Sequence, residues 1–244
     1  MEKWKSHGRR GDRAFTRLEL AVVLATLGLL AAITLPVLAG SRTHSEQANC
    51  FSNLRQIGHA FQLWANDHGD RNPWLTPWLE GGTAGTPNPL KNNASFQMGS
   101  ISNELGTPKI LVCPADQGVF GKPRMTAIDF STTNFSGGFS TLGFRDAALS
   151  YTIGLHSFFE VPRSILSSDR NIRWSGLNSS CFTGVGNASY VTVPVAAWTN
   201  SIHVGTGNVL FNDGGVEKSS SSGLQQAIQE AKGDIRTLHF LAPN

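Results

Sequence analysis

The side chains able to do chemistry are thinly spread. His44, His59, His68, His156, His203 and His239 stand far apart, with no HExxH pattern and no nucleophile elbow among them. Cys50, Cys113 and Cys181 form no CxxC pair and no Cys/His cluster of zinc spacing, so no metal is assigned. Asp67-His68-Gly69-Asp70 groups acid, base and ligand atoms, but it follows a long helical pattern and reads as a polar helix exit. His203 precedes Asp213-Gly214 by nine intervening residues. Asn212-Asp213-Gly214-Gly215 between two apolar runs is a hairpin signal, because such turns need residues that accept positive φ. Asp213 is therefore read as a turn residue, with a calcium ligand as the alternative. Calcium takes oxygen ligands, and His203 is a poor one. His203 is expected to hydrogen-bond a buried backbone or carboxylate group beneath the hairpin. The six tryptophans, Trp74 and Trp78 included, are assigned to core packing ahead of a carbohydrate or partner surface. No catalytic residue, no cofactor and no enzymatic activity is expected.

The elements that must position these residues begin with an apolar run. Ala14 to Leu38 reads AFTRLELAVVLATLGLLAAITLPVL, and Leu20 to Leu38 carries no charge. A membrane-crossing helix takes about 20 residues, so this stretch is long enough to cross. Glu19 near its start needs a reason, since a carboxylate at the bilayer centre costs about 2.5 kcal/mol or more. Upstream, Lys3, Lys5, Arg9, Arg10 and Arg13 face Glu2 and Asp12, an excess of three positive charges that equals the formal +3 of the whole chain. The rest is thus near neutral, which gives no support for nucleic-acid binding. The basic tail predicts a cytoplasmic N-terminus and an exported remainder. A cleavable secretory signal ending at Leu38-Ala39-Gly40 is the rival reading, but its apolar core would be unusually long and Glu19 would serve no purpose in it.

Ala14-Phe15-Thr16-Arg17-Leu18-Glu19-Leu20 resembles the class III signal of type IV prepilins and type II secretion pseudopilins. The resemblance implies a prepilin peptidase cutting between Ala14 and Phe15, N-methylation of Phe15, and Glu19 as fifth residue of the mature chain. There its carboxylate would meet the α-amine of a neighbouring subunit and set the register of assembly. Pro36 falls at a further position where pilin helices carry proline. Ala14 stands where glycine is commoner, and Arg17 where most members are apolar.

The helical pattern continues from Ser41 to Asp67, with Phe51, Leu54, Ile57, Phe61, Trp64 and Ala65 at steps of three and four. Gly69 and Pro73 stop it. Helix is expected from Phe15 to Asp67, with its second half against a globular head. The head reads as one turn-rich domain with strands at Ser150–Leu155, Tyr190–Val195, Gly207–Phe211 and Val216–Lys218 and a helix at Gly223–Lys232. Thr76–Asn93 and Phe130–Gly143 read as long loops. The expected organisation is a leader (1–14), a transmembrane and stalk helix (15–70) and a head (71–244), an α+β pilin-like fold with an antiparallel sheet.

SIHVGTGNVLFNDGGVEKSS resembles the H-x9-DG segment that accompanies prepilin-type N-termini in exported proteins of planctomycete and verrucomicrobial bacteria. Cys113-Pro114-Ala115-Asp116 and Ser150-Tyr151-Thr152-Ile153-Gly154-Leu155 resemble two further motifs of that family, and Ser168-Asp169-Arg170-Asn171 lies in a third such stretch without a mechanism. In an exported compartment a disulfide persists. With one bridge and one leftover thiol, Cys50 with Cys113 would staple stalk to sheet, and Cys113 with Cys181 is the rival pairing. The expectation is a single-pass pseudopilin-like subunit of the inner membrane, its head periplasmic or extracellular. Its partners would be the prepilin peptidase and other subunits of a type II secretion pseudopilus or pilus-like fibre. The alternative is an anchored ectodomain that binds polysaccharide or an exported substrate without polymerising.

Overall fold

The computed structural model describes residues 16–118, 124–161, 163–173, 176–177, 188–191, 196–232 and 238–243, without side-chain surroundings at 35–43, 91–92, 176–177 and 188–191. Ala14, Phe15 and Cys181 lie outside them, as does the side chain of Pro36. The chain divides into two compact units, one ending at His44 and one running from Ser45 to Asn244. Helix α1 (Arg17–Asn66) contributes to both.

In the first unit, α1 opens on a reciprocal cap. Thr16 Oγ1 accepts from the Glu19 N–H at 3.2 Å, while Glu19 Oε2 accepts from the Thr16 N–H at 2.8 Å and from its hydroxyl at 2.9 Å. This is the capping-box arrangement, in which two orphan groups of the first turn satisfy each other. Beyond it, Leu18, Leu20, Val22, Val23, Leu24, Leu27, Leu29, Leu30 and Ile33 are all exposed. Thr26 and Thr34 return their hydroxyls to the helix carbonyls of Val23 and Leu30, so the polar atoms are spent internally. A helix apolar around its whole circumference is built for surroundings other than water. Arg17–Thr34 is long and apolar enough to span a membrane.

In the second unit, α1 presents the expected stripe. Cys50, Leu54, Ile57, Phe61, Trp64 and Ala65 are buried. The helix stops where Gly69 and Asp70 turn left-handed, at φ of 66° and 55°, a common C-terminal device. His68 stacks on Trp64 at 3.7 Å between ring centroids, so Asp67–Asp70 is a helix exit. The short helices α2 (Ala94–Gly99) and α3 (Ser102–Leu105) follow. Then come β1 (Tyr151–Gly154), β2 (Ile165–Asp169), β3 (Ile172–Arg173), β4 (Gly176–Leu177), β5 (Ala188–Val191), β6 (Ala197–Trp198), β7 (Thr206–Phe211) and β8 (Val216–Ser220). Helix α4 (Ser221–Lys232) and β9 (Leu238–Leu241) close the fold. Among the described residues the strands form an antiparallel sheet in the order β4-β5-β9-β1-β2-β7-β8 and a β3-β6 pair.

Both faces of the sheet are covered. Tyr151, Ile153, Leu166, Leu210 and Leu241 join the α1 stripe in one core, whereas Ile165, Val209, Phe211, Leu238 and Phe240 join Leu224, Ala227, Ile228 and Ala231 of α4 in another. Neighbours such as Ile165 and Leu166, or Val209 and Leu210, go to opposite sides, as the two-residue period of a strand requires. Gly58 marks the close approach of α1 to β7: a Cβ there would lie 2.8 Å from Leu210 Cδ1.

The architecture is α+β with an antiparallel sheet, and several expectations need correction. The strand expected to run to Val195 is described only as far as Val191, and residues 192–195 lie outside the described set. β2 and β9 were not expected at all. β2 reads ILSSD, too polar for a strand signal, yet all five residues are buried. Its hydroxyls are consumed locally: Ser167 Oγ donates to Thr152 O at 2.6 Å, and the hydroxyls of Thr152 and Ser168 meet at 2.7 Å. The Phe130–Gly143 stretch is irregular but is no mere surface loop, since Phe139 is fully buried and Thr141 nearly so. Trp74 is buried and donates Nε1–H to Leu155 O at 3.0 Å, whereas Trp78 is half exposed.

β9 carries a pH-sensitive contact. His239 Nδ1 and His156 Nε2 meet at 2.9 Å, a bond that needs one neutral ring as acceptor. Burial, and then the neighbouring His239, lower the His156 pKa; burial lowers that of His239. Both folded pKa values lie below the unfolded value of about 6.5. The stability they contribute is therefore present above that value and lost as pH falls through it. Asp169 acts in the opposite sense over the same range, so the pair is isolated by comparison: between pH 7 and pH 5 the urea midpoint of the detergent-solubilised wild type is predicted to fall relative to that of His239→Gln.

Candidate functional site

Four sequence segments that looked independent converge at the β1–β2 end of the sheet, beside α1. Cys113 is disulfide-bonded to Cys50 of α1, with Cα atoms 4.9 Å apart, within the usual range for such a bridge. The bridge fixes the turn Cys113–Asp116, which closes with the Asp116 N–H donating to Cys113 O at 2.9 Å. The Asp116 carboxylate then accepts a two-pronged grip from Arg170, from Nε at 2.7 Å and from Nη2. Arg124 Nε approaches Asp116 at 3.2 Å, and Arg124 Nη1 donates to Asp146 O. Arg170 Nη2 also donates to Gly118 O at 2.9 Å, and its own N–H donates to Ser150 O at 3.0 Å. The disulfide turn, the start of β1 and the end of β2 are thereby one unit.

Burial by itself would raise the Asp116 carboxyl. The hydrogen bond and charge of Arg170, the Gly118 N–H and the charge of Arg124 outweigh it and hold the group below its ordinary value. Asp169, one residue before Arg170, is handled differently. It is fully buried, and Oδ2 accepts from the Asn208 backbone N–H at 2.7 Å and its side-chain amide at 2.9 Å, yet desolvation pushes its pKa up to about 7. Its Oδ1 has no hydrogen-bond partner among the described residues. Against this carboxyl stands His203, whose Nε2 lies 3.5 Å from Asp169 Oδ2 and 3.7 Å from Cys113 Sγ. Burial is the first cause lowering the imidazole pKa, with Lys218 adding to it. Raised acid and lowered base together favour keeping the pair's proton on the carboxyl, so that the buried pair is neutral.

His203 thus has a carboxylate beside it, but it does not meet Asp213. The two stand at opposite ends of β7, six residues of strand at about 3.3 Å each. Asp213 is exposed, and its Oδ1 accepts from the Gly215 N–H at 2.8 Å while Gly214 takes φ of 84°. This is the turn geometry. The absence of a Cys/His cluster from the sequence spacing is corrected by the fold: the ligand atoms of Cys50, Cys113 and His203 lie within 4.8 Å of one another. Residues 50, 113 and 203 are remote along the chain, so only the disulfide pairing and the topology reveal the group. Asp116 and Asp169 lie inside quoted motif fragments that gave them no role, and Arg124 has no signal in the sequence.

No family model, no curated protein and no solved structure matches this chain.

A second feature is a cleft of about 470 Å³ on the same unit, lined by Leu90, Phe96, Phe135, Leu142 and Arg145 among others. Phe135 and Leu142 are each about 80 % exposed at its rim.

The Asp116–Arg170 grip is a paired buried charge, and removing one partner strands the other. Arg170→Ala is expected to destabilise the chain by about 3 kcal/mol, the lower end for a broken buried pair, because Arg124 stays beside Asp116. Arg170→Lys should recover only part, because an ammonium cannot reproduce the guanidinium fork. Urea denaturation of the three proteins in detergent measures both effects.

Proposed function

We propose that the chain is a prepilin-like or pseudopilin-like subunit, cut by a prepilin peptidase between Ala14 and Phe15 and assembled through its N-terminal helix. The observation that carries this reading is the composition of α1. Its first half is apolar on every side and opens on a single carboxylate, while residues from Cys50 onward build the core of a separate unit. A cleaved secretory signal fits α1 less well. Gly40 lies inside the helix, whereas proteolytic cutting concentrates at exposed, irregular segments. The N-terminus is proposed to be cytoplasmic, the membrane the inner one and the head exported, on the asymmetry of the basic tail. Subunits of a type II secretion pseudopilus or pilus-like fibre are the proposed partners, and no bond is transformed by the protein itself.

The reading in which the head binds an exported substrate or polysaccharide without polymerising has its own support, the cleft rimmed by exposed Phe135 and Leu142. Its lining mixes Phe96, Phe135 and Leu142 with polar Asn88, Thr132 and Arg145, and ligand sites combine apolar walls with polar groups that fix orientation.

Two experiments separate these. Intact-mass analysis of the membrane-extracted chain, produced with and without a prepilin peptidase, should show peptidase-dependent loss of residues 1–14 and one added methyl on Phe15. An uncut chain or a cut after Gly40 would overturn the proposal. The second experiment exploits the cap at Glu19. Glutamine also completes a capping box, so Glu19→Gln keeps the helix start but removes the charge. If Glu19 serves assembly, Glu19→Gln and Glu19→Ala both abolish cross-linkable oligomers in the membrane. If it serves only as a cap, the glutamine variant assembles like wild type.

A further inference from the structure

The Cys50–Cys113 bridge and its histidine neighbour hold more chemistry than a staple needs. His203 Nε2 is the atom that faces both Cys113 Sγ, at 3.7 Å, and Asp169 Oδ2, at 3.5 Å. One nitrogen cannot donate along two directions, and as a neutral acceptor it has only one lone pair. Around a tetrahedral ion bound at 2.3 Å to sulfur and about 2.0–2.1 Å to nitrogen and oxygen, ligand atoms stand about 3.4–3.6 Å apart. The sulfur–nitrogen distance falls close to that edge, the ligand atoms of Cys50, Cys113 and His203 lie within 4.8 Å of one another, and the Asp169 carboxyl group stands beside the same imidazole nitrogen. A separate observation concerns Asp169, whose Oδ1 is buried in a residue of zero exposure and lacks any hydrogen-bond partner among the described residues. Its Oδ2 is oriented by two donors from Asn208, the kind of outer contact that fixes a ligating carboxylate.

We propose that Cys50, Cys113, His203 and Asp169 form a divalent-cation site, suited to Zn²⁺, that is filled when the Cys50–Cys113 bond is reduced. The disulfide and the metal are alternative closures of one site. A dithiol supplies two electrons and two protons to the S–S bond and leaves as its own disulfide, giving two protein thiols. The incoming ion displaces those two protons and the one held by the Asp169 carboxyl, all three leaving to solvent, and the sulfurs separate to about 3.8 Å, the tetrahedral edge for 2.3 Å bonds. Two thiolates, a neutral imidazole and a carboxylate then complete the shell. Both closures tie α1 to the Cys113 turn, so the same connection survives in an oxidising compartment without metal and in a reducing one with it.

Cobalt(II) is the probe, since thiolate coordination gives a near-ultraviolet charge-transfer band and tetrahedral geometry gives intense visible bands. The full chain in detergent is reduced with a water-soluble phosphine, which becomes its oxide with oxygen from water, and titrated with Co²⁺. Reduced wild type is expected to bind one Co²⁺ with both band sets, reversed by Zn²⁺, and the oxidised chain to bind none. The Cys50→Ser/Cys113→Ser double variant should lose the charge-transfer band and Cys181→Ser should retain it. His203→Ala should weaken binding at least tenfold, and Asp169→Asn should shift the visible bands. Absence of bands in the reduced wild type overturns the proposal, whether the chain stays folded on reduction or unfolds without recovering on metal addition. So do bands that survive the double cysteine variant, that vanish with Cys181→Ser, or that are indifferent to His203→Ala.

Discussion

The covalent tie between Cys50 and Cys113 is the constraint on which the second unit depends. It closes a segment of 63 residues, and in the chain-entropy account a loop of that size loses enough unfolded-state freedom to stabilise the fold by about 4 kcal/mol. Its location matters as much as its energy. Cys50 is the first residue of the buried stripe of α1, and Cys113 begins the turn that carries Asp116. Without the tie, the Asp116 carboxylate would have to hold Arg170 from a free loop, at a much larger entropic cost to each hydrogen bond. The bridge lets two buried charges find each other with little left to order.

From that point the sheet is assembled by polar contacts as much as by apolar ones. β1 and β2 sit at the centre, covered on both faces, and a central strand would ordinarily be a run of valine, isoleucine and leucine. β2 instead carries Ser167, Ser168 and Asp169. Serine is tolerated there because each hydroxyl finds a partner on the neighbouring strand: Ser167 Oγ donates to Thr152 O, and the Ser168 and Thr152 hydroxyls pair with each other. Asp169 finds two donors on β7, but a fully buried carboxyl still lacks enough of them, and its proton is held to about pH 7 as a result. The two acids are thus shifted in opposite directions, because Asp116 has guanidinium partners and Asp169 has amides.

This polarity also explains what could be read in the sequence. The helical stripe from Cys50 to Ala65, the strands around Tyr151, Val209 and Val216, and the Asn212–Gly215 turn follow from periodicity and turn chemistry, both local properties. β2 escaped because its period is written in serines, whose burial depends on partners that only the register supplies. β9 escaped because Leu238–Leu241 is short and contains His239, whose partner His156 is remote in the chain. The cluster beneath the disulfide was visible as four motif fragments but not as one place. The carboxylate expected for His203 could not be named from the sequence, and the fold supplies it as Asp169, with Cys113 beside the same nitrogen.

The nine-residue spacing from His203 to Asp213 is best understood as a length. Three residues lead from His203 through Gly205 into β7, held by the bridge between His203 and Thr206. Six residues of strand then cross the sheet, and Phe211 opens the turn in which Gly215 O accepts from the Phe211 N–H. Adding or removing one residue in β7 would send Leu210 to the α4 side and Val209 and Phe211 to the α1 side, since alternate residues face opposite ways. It would also withdraw the Asn208 donors from Asp169. The spacing is therefore fixed by what lies between its ends. A histidine must sit under the disulfide at one end, a tight turn must reverse the chain at the other, and the strand between them must serve both cores and a buried carboxyl in one register. That requirement needs no direct contact between the two residues that make the pattern recognisable.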